Sequence, residues 1–469
     1  MSVVKKINIL LARMPVIVNT FPAIALPCLV AVLKQNGYSA KSDDVNISIR
    51  SFPNTNYVDG NFVSYETQKA FFEEHKSYFE GWAESVISSG VNVLGFSLWR
   101  TNENITRLTA EIVKQKKPEI KIIYGGPGAA LYSPSDVLES KVVDVVVWGE
   151  GEETLLEVLE KFENNESLEY VKGISFLSKD GFVKNNPPRS EIEDLNALPF
   201  IDLSGIDIEK YPVKSIPLMF ARGCSWRCKF CECFVTWKTY RTRTADNIFN
   251  EILLRLKEFK RERYYFQLYD CALNQDLKML GELCAKIISL GLPKGTITFG
   301  GCAKIMSAMD FDFIKKLSLA GLDNWAFGVE SGSDKVLKLM GKPYTAAKAE
   351  EVLKNGYELG IAQSYNIIVG FPGETEEDWD KTISFIERTS EYVNDVNFCY
   401  MMMSSSQVQE RFKNNIAYNE GFDAKKWVSL DGTNTFEIRV KRMERLEERI
   451  LKSTKLLKKD PMHYVKKLL

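Results

Sequence analysis

Residues 221–234 read ARGCSWRCKFCECF, and Cys224, Cys228 and Cys231 stand there in a C-x3-C-x2-C spacing. The apolar run just before them, residues 216–220, predicts a buried strand that delivers this loop. Three thiolates on one short loop can bind one face of a small metal centre. A cluster of four irons held by three cysteines keeps one iron free for another ligand. The spacing therefore predicts an iron–sulfur cluster at the end of a strand.

Zinc is the other metal that such thiolates commonly bind. A structural zinc site usually has four ligands in two pairs, and the sequence contains no second C-x2-C pair or paired histidines. Cys233 offers a fourth thiol, but its position two residues after Cys231 favours a packing or substrate-side role. A zinc site and plain core cysteines remain the alternatives at this point.

The composition limits the class of protein. The chain has 469 residues, enough for about three domains of roughly 150 residues each. Its 61 Lys and Arg against 62 Asp and Glu give a net charge of −1, so no overall positive field attracts nucleic acid. No stretch approaches the roughly 18 apolar residues of a membrane span. Nine cysteines in so long a chain do not indicate a disulfide framework, and we expect a reducing, cytoplasmic location.

Residues 1–188 alternate between strand-like and helical patterns. Strands are predicted at 6–11 and, as a short strand, at 39–45, and near-continuous apolar strands at 92–97, 120–124 and 143–147; helices are predicted at 25–36, 106–115 and 134–140. An aromatic insertion at 51–89, with a helix over 68–88, interrupts the alternation. The pattern predicts an α/β domain with a Rossmann-like, doubly wound parallel sheet.

Ligands of such sheets bind at the carboxyl ends of the strands. The residues at these ends are Ser97, Trp99, Gly125, Gly126, Gly149 and Glu150. Small residues there let a large flat ligand approach the backbone, although a single glycine after a strand is more often only a turn. We therefore expect these six residues to contact a cofactor.

A second run of strand–helix units begins at residue 216. Six strands are predicted, near 216–221, 264–269, 296–300, 324–330, 363–369 and 395–400. Six units predict a partial (βα)6 barrel, with catalytic groups at the strand carboxyl ends. A Pro-Pro pair at 187–188 and the acidic loop after it mark a boundary. We expect domains at 1–188, 189–400 and 401–469, the last a small helical, substrate-side region with a charged helix over 441–459.

The chain resembles the class B radical S-adenosylmethionine (SAM) enzymes in three places. These are the cysteine triplet with Phe230 before its third member, the run FGVESGSDKVLKLMGKPYT at 327–345, and IVGFPGETEEDW at 368–379. The resemblance implies that Cys224, Cys228 and Cys231 are the catalytic metal ligands of a [4Fe-4S] cluster whose open iron binds SAM. It further implies that Glu330 and Ser331 contact SAM and that Gly370 lies near its adenine. We also expect cofactor contacts from Phe230 in the cysteine loop and from Asp270, a carboxylate at the end of the second strand. Arg241 and Arg243 match a recurrent basic pair, for which a surface salt bridge is an equal alternative.

The first domain resembles the cobalamin-binding domain of the same enzymes. Mutase-type domains carry an Asp-x-His-x-x-Gly loop after the first strand, whereas residues 12–15 here read ARMP. The only histidines, His75 and His463, lie at no strand end, so we expect no histidine below the cobalt and ordinary packing or surface roles for both. A degenerate domain that holds no cofactor is the alternative.

The resemblance implies a cobalamin-dependent radical SAM enzyme, in particular a C-methyltransferase. In such an enzyme the cluster cleaves SAM to a 5′-deoxyadenosyl radical, and methylcobalamin donates the methyl group. The resemblance also implies a small-molecule or peptide substrate and an external electron donor such as flavodoxin or ferredoxin. We expect no nucleic-acid partner and no transmembrane segment. Two alternatives remain: a cobalamin-dependent radical SAM cyclase or rearrangement enzyme, and a cobalamin- or redox-sensing protein without turnover.

Overall fold

The computed structural model describes residues 6–15, 21–48, 65–99, 101–131, 137–233, 237–402, 406–418 and 424–451. The chain divides into two compact units, Met1–Pro217 and Leu218–Leu469. The segment 189–217 belongs to the first unit and the residues after 400 to the second. The boundaries at 188 and 400 stay predictions.

The N-terminal unit is built on a seven-stranded sheet with the order β2-β1-β3-β4-β5-β6-β7. The strands are β1 Asn8–Arg13, β2 Ser39–Asp44, β3 Val93–Ser97, β4 Lys121–Gly125, β5 Val145–Val147, β6 Ile174–Leu177 and β7 Val183–Asn185. The first five strands pair in parallel, and β6 and β7 extend the sheet as antiparallel strands. Every residue of β3 and β5 is buried, as expected for strands covered on both faces.

Helices cover both faces of this sheet. They are α1 Ala25–Gln35, the short α2 Val45–Ser48, α3 Tyr65–Glu74, α4 Lys76–Ser88, α5 Glu103–Lys116 and α6 Gly151–Asn164. The single helix predicted over 68–88 is divided, because His75 leaves the helical conformation with φ −112° and ψ 22°. The aromatic residues Phe71, Phe72, Phe79 and Trp82 of α3 and α4 lie in the same core cluster as residues of β3. The first residues of the helix predicted at 134–140 lie outside the described residues.

The α/β class with a parallel N-terminal sheet is confirmed, and all five predicted strands are present. The sequence analysis missed β6 and β7, because the second of them is short and partly exposed and shows no alternation of apolar and polar residues. They lie within a stretch where no strand was predicted.

A second, six-stranded sheet has the order β15-β14-β13-β12-β11-β8; it belongs to the C-terminal unit except for its edge strand β8, which spans the division after Pro217. Its strands are β8 Ser215–Leu218, β11 Tyr264–Leu268, β12 Ile297–Ala303, β13 Leu322–Glu330, β14 Ala362–Val369 and β15 Asp395–Tyr400. The pairs from β11 to β15 are parallel. Two short strands, β9 Ala221–Arg222 and β10 Arg241–Thr242, form a separate antiparallel pair. The six strands of the predicted partial barrel are therefore confirmed.

Helices follow these strands: α7 Ala245–Phe259, α8 Leu277–Ser289, α9 Phe311–Ala320, α10 Asp334–Met340, α11 Ala346–Glu358 and α12 Glu376–Thr389. Five of them begin at an N-cap side chain that accepts a backbone N–H: Thr244, Asp276, Asp310, Thr345 and Thr375. Such caps satisfy donors that have no partner inside the helix, which explains why these helix starts are readable in the sequence. The sequence analysis missed the seven-residue α10.

The last part of the chain packs onto the C-terminal unit. It comprises α13 Ser406–Phe412, β16 Ile416–Tyr418, β17 Trp427–Ser429 and α14 Phe436–Leu451. Arg442 on α14 is buried and pairs with the buried Glu374 at 2.8 Å and with the exposed Glu376 at 2.8 Å. The charged helix predicted over 441–459 thus starts earlier, and residues 452–459 lie outside the described part. Among the described helices, none has the length and apolar character needed to cross a bilayer.

Candidate functional site

The cysteine loop leaves the sheet after β8 and is closed at its base by β9 and β10. Arg222 pairs with Arg241 in this short antiparallel ladder. Gly223 starts the loop with φ +80°, and a Cβ there would lie 2.1 Å from the carbonyl oxygen of Thr239. Only glycine fits both the positive φ and this close approach. The base of the loop is therefore fixed by the backbone.

Asp270 ties the loop to the neighbouring strand. Its carboxylate follows β11 and accepts the backbone N–H groups of Phe220 and Ala221, at 3.0 and 2.5 Å. Burial raises the pKa of Asp270 to about 7, against the opposing effect of these N–H donors. Both oxygens face the start of the cysteine loop, so the structure gives this residue an anchoring task. Its predicted contact with SAM stays a prediction.

The thiols of the loop lie close together but in unequal surroundings. A hydrogen bond with Cys233, and then the positive charge of Lys304, lower the pKa of Cys224 to about 5. Burial raises the pKa of Cys228 and raises that of Cys231 to about 11. The sulfur of Cys233 also lies 2.8 Å from that of Cys271, which follows β11. Five cysteines thus gather at this end of the sheet.

Lys304 enters the loop from the end of β12. Its ammonium group donates to Ser225 Oγ at 2.9 Å and to Gln275 Oε1 at 2.7 Å, and it lies 4.7 Å from the centre of the Trp226 ring. Gln275 in turn accepts from the backbone N–H of Ser225 and donates to the carbonyl of Gly223. Burial lowers the pKa of Lys304, with the Cys224 thiolate opposing the shift. The sequence analysis missed Lys304 and Gln275, because neither belongs to a recognisable motif.

Glu330 ends β13 in an unusual conformation. It is a non-glycine residue with φ +73°, it is buried, and its carboxylate lies 3.5 Å from the ammonium group of Lys342. Burial raises the pKa of Glu330, while Lys342 lowers it. A left-handed conformation is costly for a residue with a Cβ and is concentrated at functional sites. The same lysine lies 5.4 Å from the Phe230 ring, so Glu330 and Phe230 share one neighbour.

Ser331 and Gly370 are held by contacts inside the C-terminal unit. The Ser331 hydroxyl is buried against Thr382 at 3.1 Å and accepts the backbone N–H of Ser333. Gly370 has φ +85°, and a Cβ there would lie 2.2 Å from Cδ of the buried Arg439. Their predicted contacts with SAM stay predictions.

Arg243 forms a buried ion pair and a hydrogen bond to a backbone carbonyl within the C-terminal unit. Its guanidinium pairs with the buried Glu251 at 2.6 Å and donates to the carbonyl of Met219 at 2.9 Å. The ion pair is buried, so the surface salt bridge considered for this residue is not what the structure contains. Arg241 lies in the β9–β10 ladder at the base of the loop.

The predicted cofactor residues of the N-terminal unit lie after β3, β4 and β5, three neighbouring parallel strands. Ser97 is in register with Gly125, which brings the first two strand ends together. Gly126 has φ +91°, and Cβ atoms at Gly126 and Gly128 would lie 3.0 and 2.8 Å from the segment 97–99. The two loops therefore lie flat against each other, as a surface for a large planar ligand requires. Trp99 is 46% exposed at this edge.

Gly149 and Glu150 follow β5. Gly149 has φ +68° and open space where a Cβ would lie. Glu150 precedes α6, and its carboxylate accepts the backbone N–H of Ile192 at 2.7 Å. Its contact with a cofactor stays a prediction, as do those of the five residues that precede it on this edge.

The strand β1 ends at Arg13. Arg13 is buried there and pairs with Asp44, which also accepts from the hydroxyl of Tyr211 at 2.5 Å. His75 lies between α3 and α4 with its ring 4.6 Å from that of Phe71, a packing position. His463 lies outside the described residues.

Comparison with known families separates the chain into two matched parts. The B12 binding domain family matches residues 13–159, and the radical SAM superfamily matches residues 218–386. This enzyme belongs to the radical SAM enzymes that carry a B12-binding domain. The expected cofactors, an iron–sulfur cluster, SAM and cobalamin, agree with these two families.

Relatives of this enzyme differ in their reactions. It is 25% identical over 283 residues to an uncharacterized methyltransferase of Pyrococcus horikoshii, a match that covers 60% of each chain. It is 27% identical over 284 residues to the anaerobic magnesium-protoporphyrin IX monomethyl ester cyclase of Rubrivivax gelatinosus, covering 58% of this chain and 50% of the cyclase. The matches thus span 60% and 50% of the two relatives.

A solved structure shares the fold of this enzyme. It is the radical SAM methyltransferase TsrM from Kitasatospora setae, with cobalamin and a [4Fe-4S] cluster bound. The TM-score is 0.64 at 16% identity, and the match covers 84% of this chain and 75% of that one. At this identity the similarity concerns the fold alone.

The residues of the cysteine loop fit an iron–sulfur cluster in donor chemistry. Three thiols come from one loop, and two buried lysines, Lys304 and Lys342, lie near enough to lower thiol pKa values. As placed, no three Cys, His, Asp or Glu side chains of the described residues form a group that could hold a metal ion. The hydrogen-bonding partner that the structure gives the Cys233 sulfur is Cys271, which follows β11.

Proposed function

We propose that this radical SAM enzyme is a cobalamin-dependent methyltransferase that methylates a carbon atom of a small-molecule or peptide substrate. The observation that carries the proposal is the three-thiol loop at the end of β8, in a chain whose other unit matches the B12 binding domain family. The matched methyltransferase of Pyrococcus horikoshii supports the transfer of a methyl group.

Cys224, Cys228 and Cys231 would hold the cluster. When bound, the three cofactors supply an electron, a carbon radical derived from SAM, and a methyl group. The chain supplies positions and electrostatics: Lys304 and Lys342 offset the negative charge of the thiolates. Glu330 would accept hydrogen bonds from the SAM molecule, because its buried carboxylate lies on the loop side of β13, near Cys228.

The strand ends of the N-terminal unit would hold cobalamin. Gly126 and Gly128 keep the loops after β3 and β4 thin, and the exposed Trp99 ring offers a flat apolar surface beside them. Arg13 and Asp44 form a buried ion pair at the end of β1, so we expect neither of these two side chains to be a ligand for cobalt from below. The lower face would rest on protein surface without histidine ligation.

Protein purified without oxygen tests the proposal. We expect iron and sulfide near four atoms each per chain for a [4Fe-4S] cluster, with cobalt after supply of cobalamin. With SAM labelled on its methyl group with deuterium and a low-potential reductant, we expect 5′-deoxyadenosine, S-adenosylhomocysteine and labelled methylcobalamin. An external donor of the flavodoxin or ferredoxin type would replace the chemical reductant in this assay.

The cyclase relative supports a second candidate, a cobalamin-dependent cyclisation or rearrangement. Formation of 5′-deoxyadenosine without labelled methylcobalamin would favour it over methyl transfer. A cobalamin- or redox-sensing protein would bind the cluster and cobalamin yet leave SAM intact. Each reading therefore gives a different product pattern in the same assay.

A further inference from the structure

Lys304 is a buried lysine without a carboxylate partner. Among the described residues, no Asp or Glu lies within 4 Å of its ammonium group, although only 7% of the residue is exposed. Lys342, whose ammonium group lies 5.7 Å from the centre of the Trp226 ring, has Glu330 at 3.5 Å. Burial of a lysine charge without a carboxylate beside it is costly, so its position next to the cysteine loop is informative.

The backbone of Lys304 is held in place from both sides. The fully buried Asn274 donates to its carbonyl and accepts from its N–H, both at 2.8 Å. Asn274 and the adjacent Gln275 belong to the loop after β11, and Gln275 Oε1 also accepts from the lysine side chain at 2.7 Å. Lys304 is thus fixed at the backbone and at the tip.

The tip of Lys304 contacts the start of the cysteine loop. It donates to Ser225 Oγ at 2.9 Å, in the residue next to Cys224, and it lies over the Trp226 ring. The residues on both sides of this contact, Gly223 and Ser225, are bound to Gln275. One side chain therefore connects a predicted cluster ligand to two neighbouring strand ends.

We propose that Lys304 is a positioning residue that orients Cys224 and places a positive charge beside the cluster, so that the cluster accepts its electron more readily. The proposal rests on the proposed function, because it requires a cluster on Cys224. A positive charge near the cluster favours its reduced, more negative state. Lys342 contributes less, because the Glu330 carboxylate offsets its charge.

The test is a redox titration of the reconstituted protein without SAM, followed by electron paramagnetic resonance of the reduced cluster. In Lys304→Met and Lys304→Gln, we expect the equilibrium constant for reduction to fall about tenfold, a shift of about 59 mV to lower potential for one electron. Lys304→Arg keeps the charge and should stay near wild type. Lys294→Met, which removes the same charge from an exposed loop, is the matched control and should not shift.

The outcomes distinguish a failure of the role proposed for Lys304 from a failure of the proposed function. If Lys304→Met and Lys304→Gln load the cluster and titrate like wild type, the proposed role is wrong. The same conclusion follows if their potentials are unchanged and only their affinity for SAM falls, because Lys304 would then be a SAM ligand alone. If wild-type protein itself takes up no iron and sulfide, the proposed function fails, and this inference fails with it.

Discussion

Gly223→Ala should destabilise the enzyme more than an alanine substitution at a left-handed glycine whose Cβ position is open, because a backbone carbonyl lies next to the Cβ position of Gly223. A residue with a Cβ in the left-handed region costs about 1–2 kcal/mol. At Gly223 the new Cβ would also lie 2.1 Å from the Thr239 carbonyl oxygen, and the β9–β10 ladder keeps that carbonyl from moving away. Relief of such overpacking costs about 1–3 kcal/mol. We expect a total loss of about 2–5 kcal/mol in the free energy of unfolding.

Gly295→Ala provides the matched control. Gly295 has φ +85°, close to the +80° of Gly223, and open space around its Cβ position. It should lose only the conformational part, about 1–2 kcal/mol. Urea unfolding and iron content after anaerobic reconstitution measure the difference. If Gly223→Ala loses no more stability than Gly295→Ala and binds iron like wild type, the contact with Thr239 does not shape the loop.

Three further predictions concern the C-terminal unit. Cys228→Ala should abolish iron uptake and SAM cleavage, whereas Cys233→Ala should keep the iron content of wild type; loss of iron in both would make Cys233 a ligand. Burial raises the pKa of Asp270 to about 7 from 3.8, so the folded state binds the proton more tightly than the unfolded state. The stabilisation that this bound proton gives the folded state is lost as pH rises through 7. The unfolding free energy of wild type relative to Asp270→Asn should thus fall by about 3 kcal/mol from pH 5 to 8, and a flat difference would contradict the assignment. Arg442→Met leaves a buried carboxylate unpaired and should lower the free energy of unfolding in urea by about 3–5 kcal/mol. Glu376→Gln removes the exposed partner of Arg442 and should lower it by less than about 1 kcal/mol. Equal losses in the two variants would show that burial of the ion pair does not decide its contribution.

Much of the fold is readable from local signals. Strands such as β3 and β5 are continuous apolar runs, and helices of the C-terminal unit begin at side chains such as Thr244 and Asp276 that cap them. The position of the cysteine loop also follows from the sequence, because the apolar run before it predicts a strand. These features depend on residues that are near one another in the chain.

The neighbours of the cluster loop are not readable in this way. Lys304, Gln275 and Cys271 contact the loop from later strand ends, at least 38 residues further along the chain, and a lone lysine or glutamine has no sequence pattern that indicates a site. The same holds for Asp270, whose position after β11 is predictable but whose partners are backbone groups of another strand end. Only the pairing of the strands brings these groups together.

Hydrogen bonds connect three neighbouring strand ends of the six-stranded sheet, those of β8, β11 and β12. Asp270 binds the segment between β8 and the cysteine loop, Gln275 binds Gly223 at the start of that loop, and Asn274 binds the backbone of Lys304 after β12. The loop after β11 therefore determines both the base of the cysteine loop and the place of the lysine that contacts it. Because the strand order is β12-β11-β8, this middle loop lies between the other two, and a change in it should displace the thiols and the charge together. The geometry of the proposed cluster site is thus a property of three adjacent strands, and the three cysteines supply only its donors.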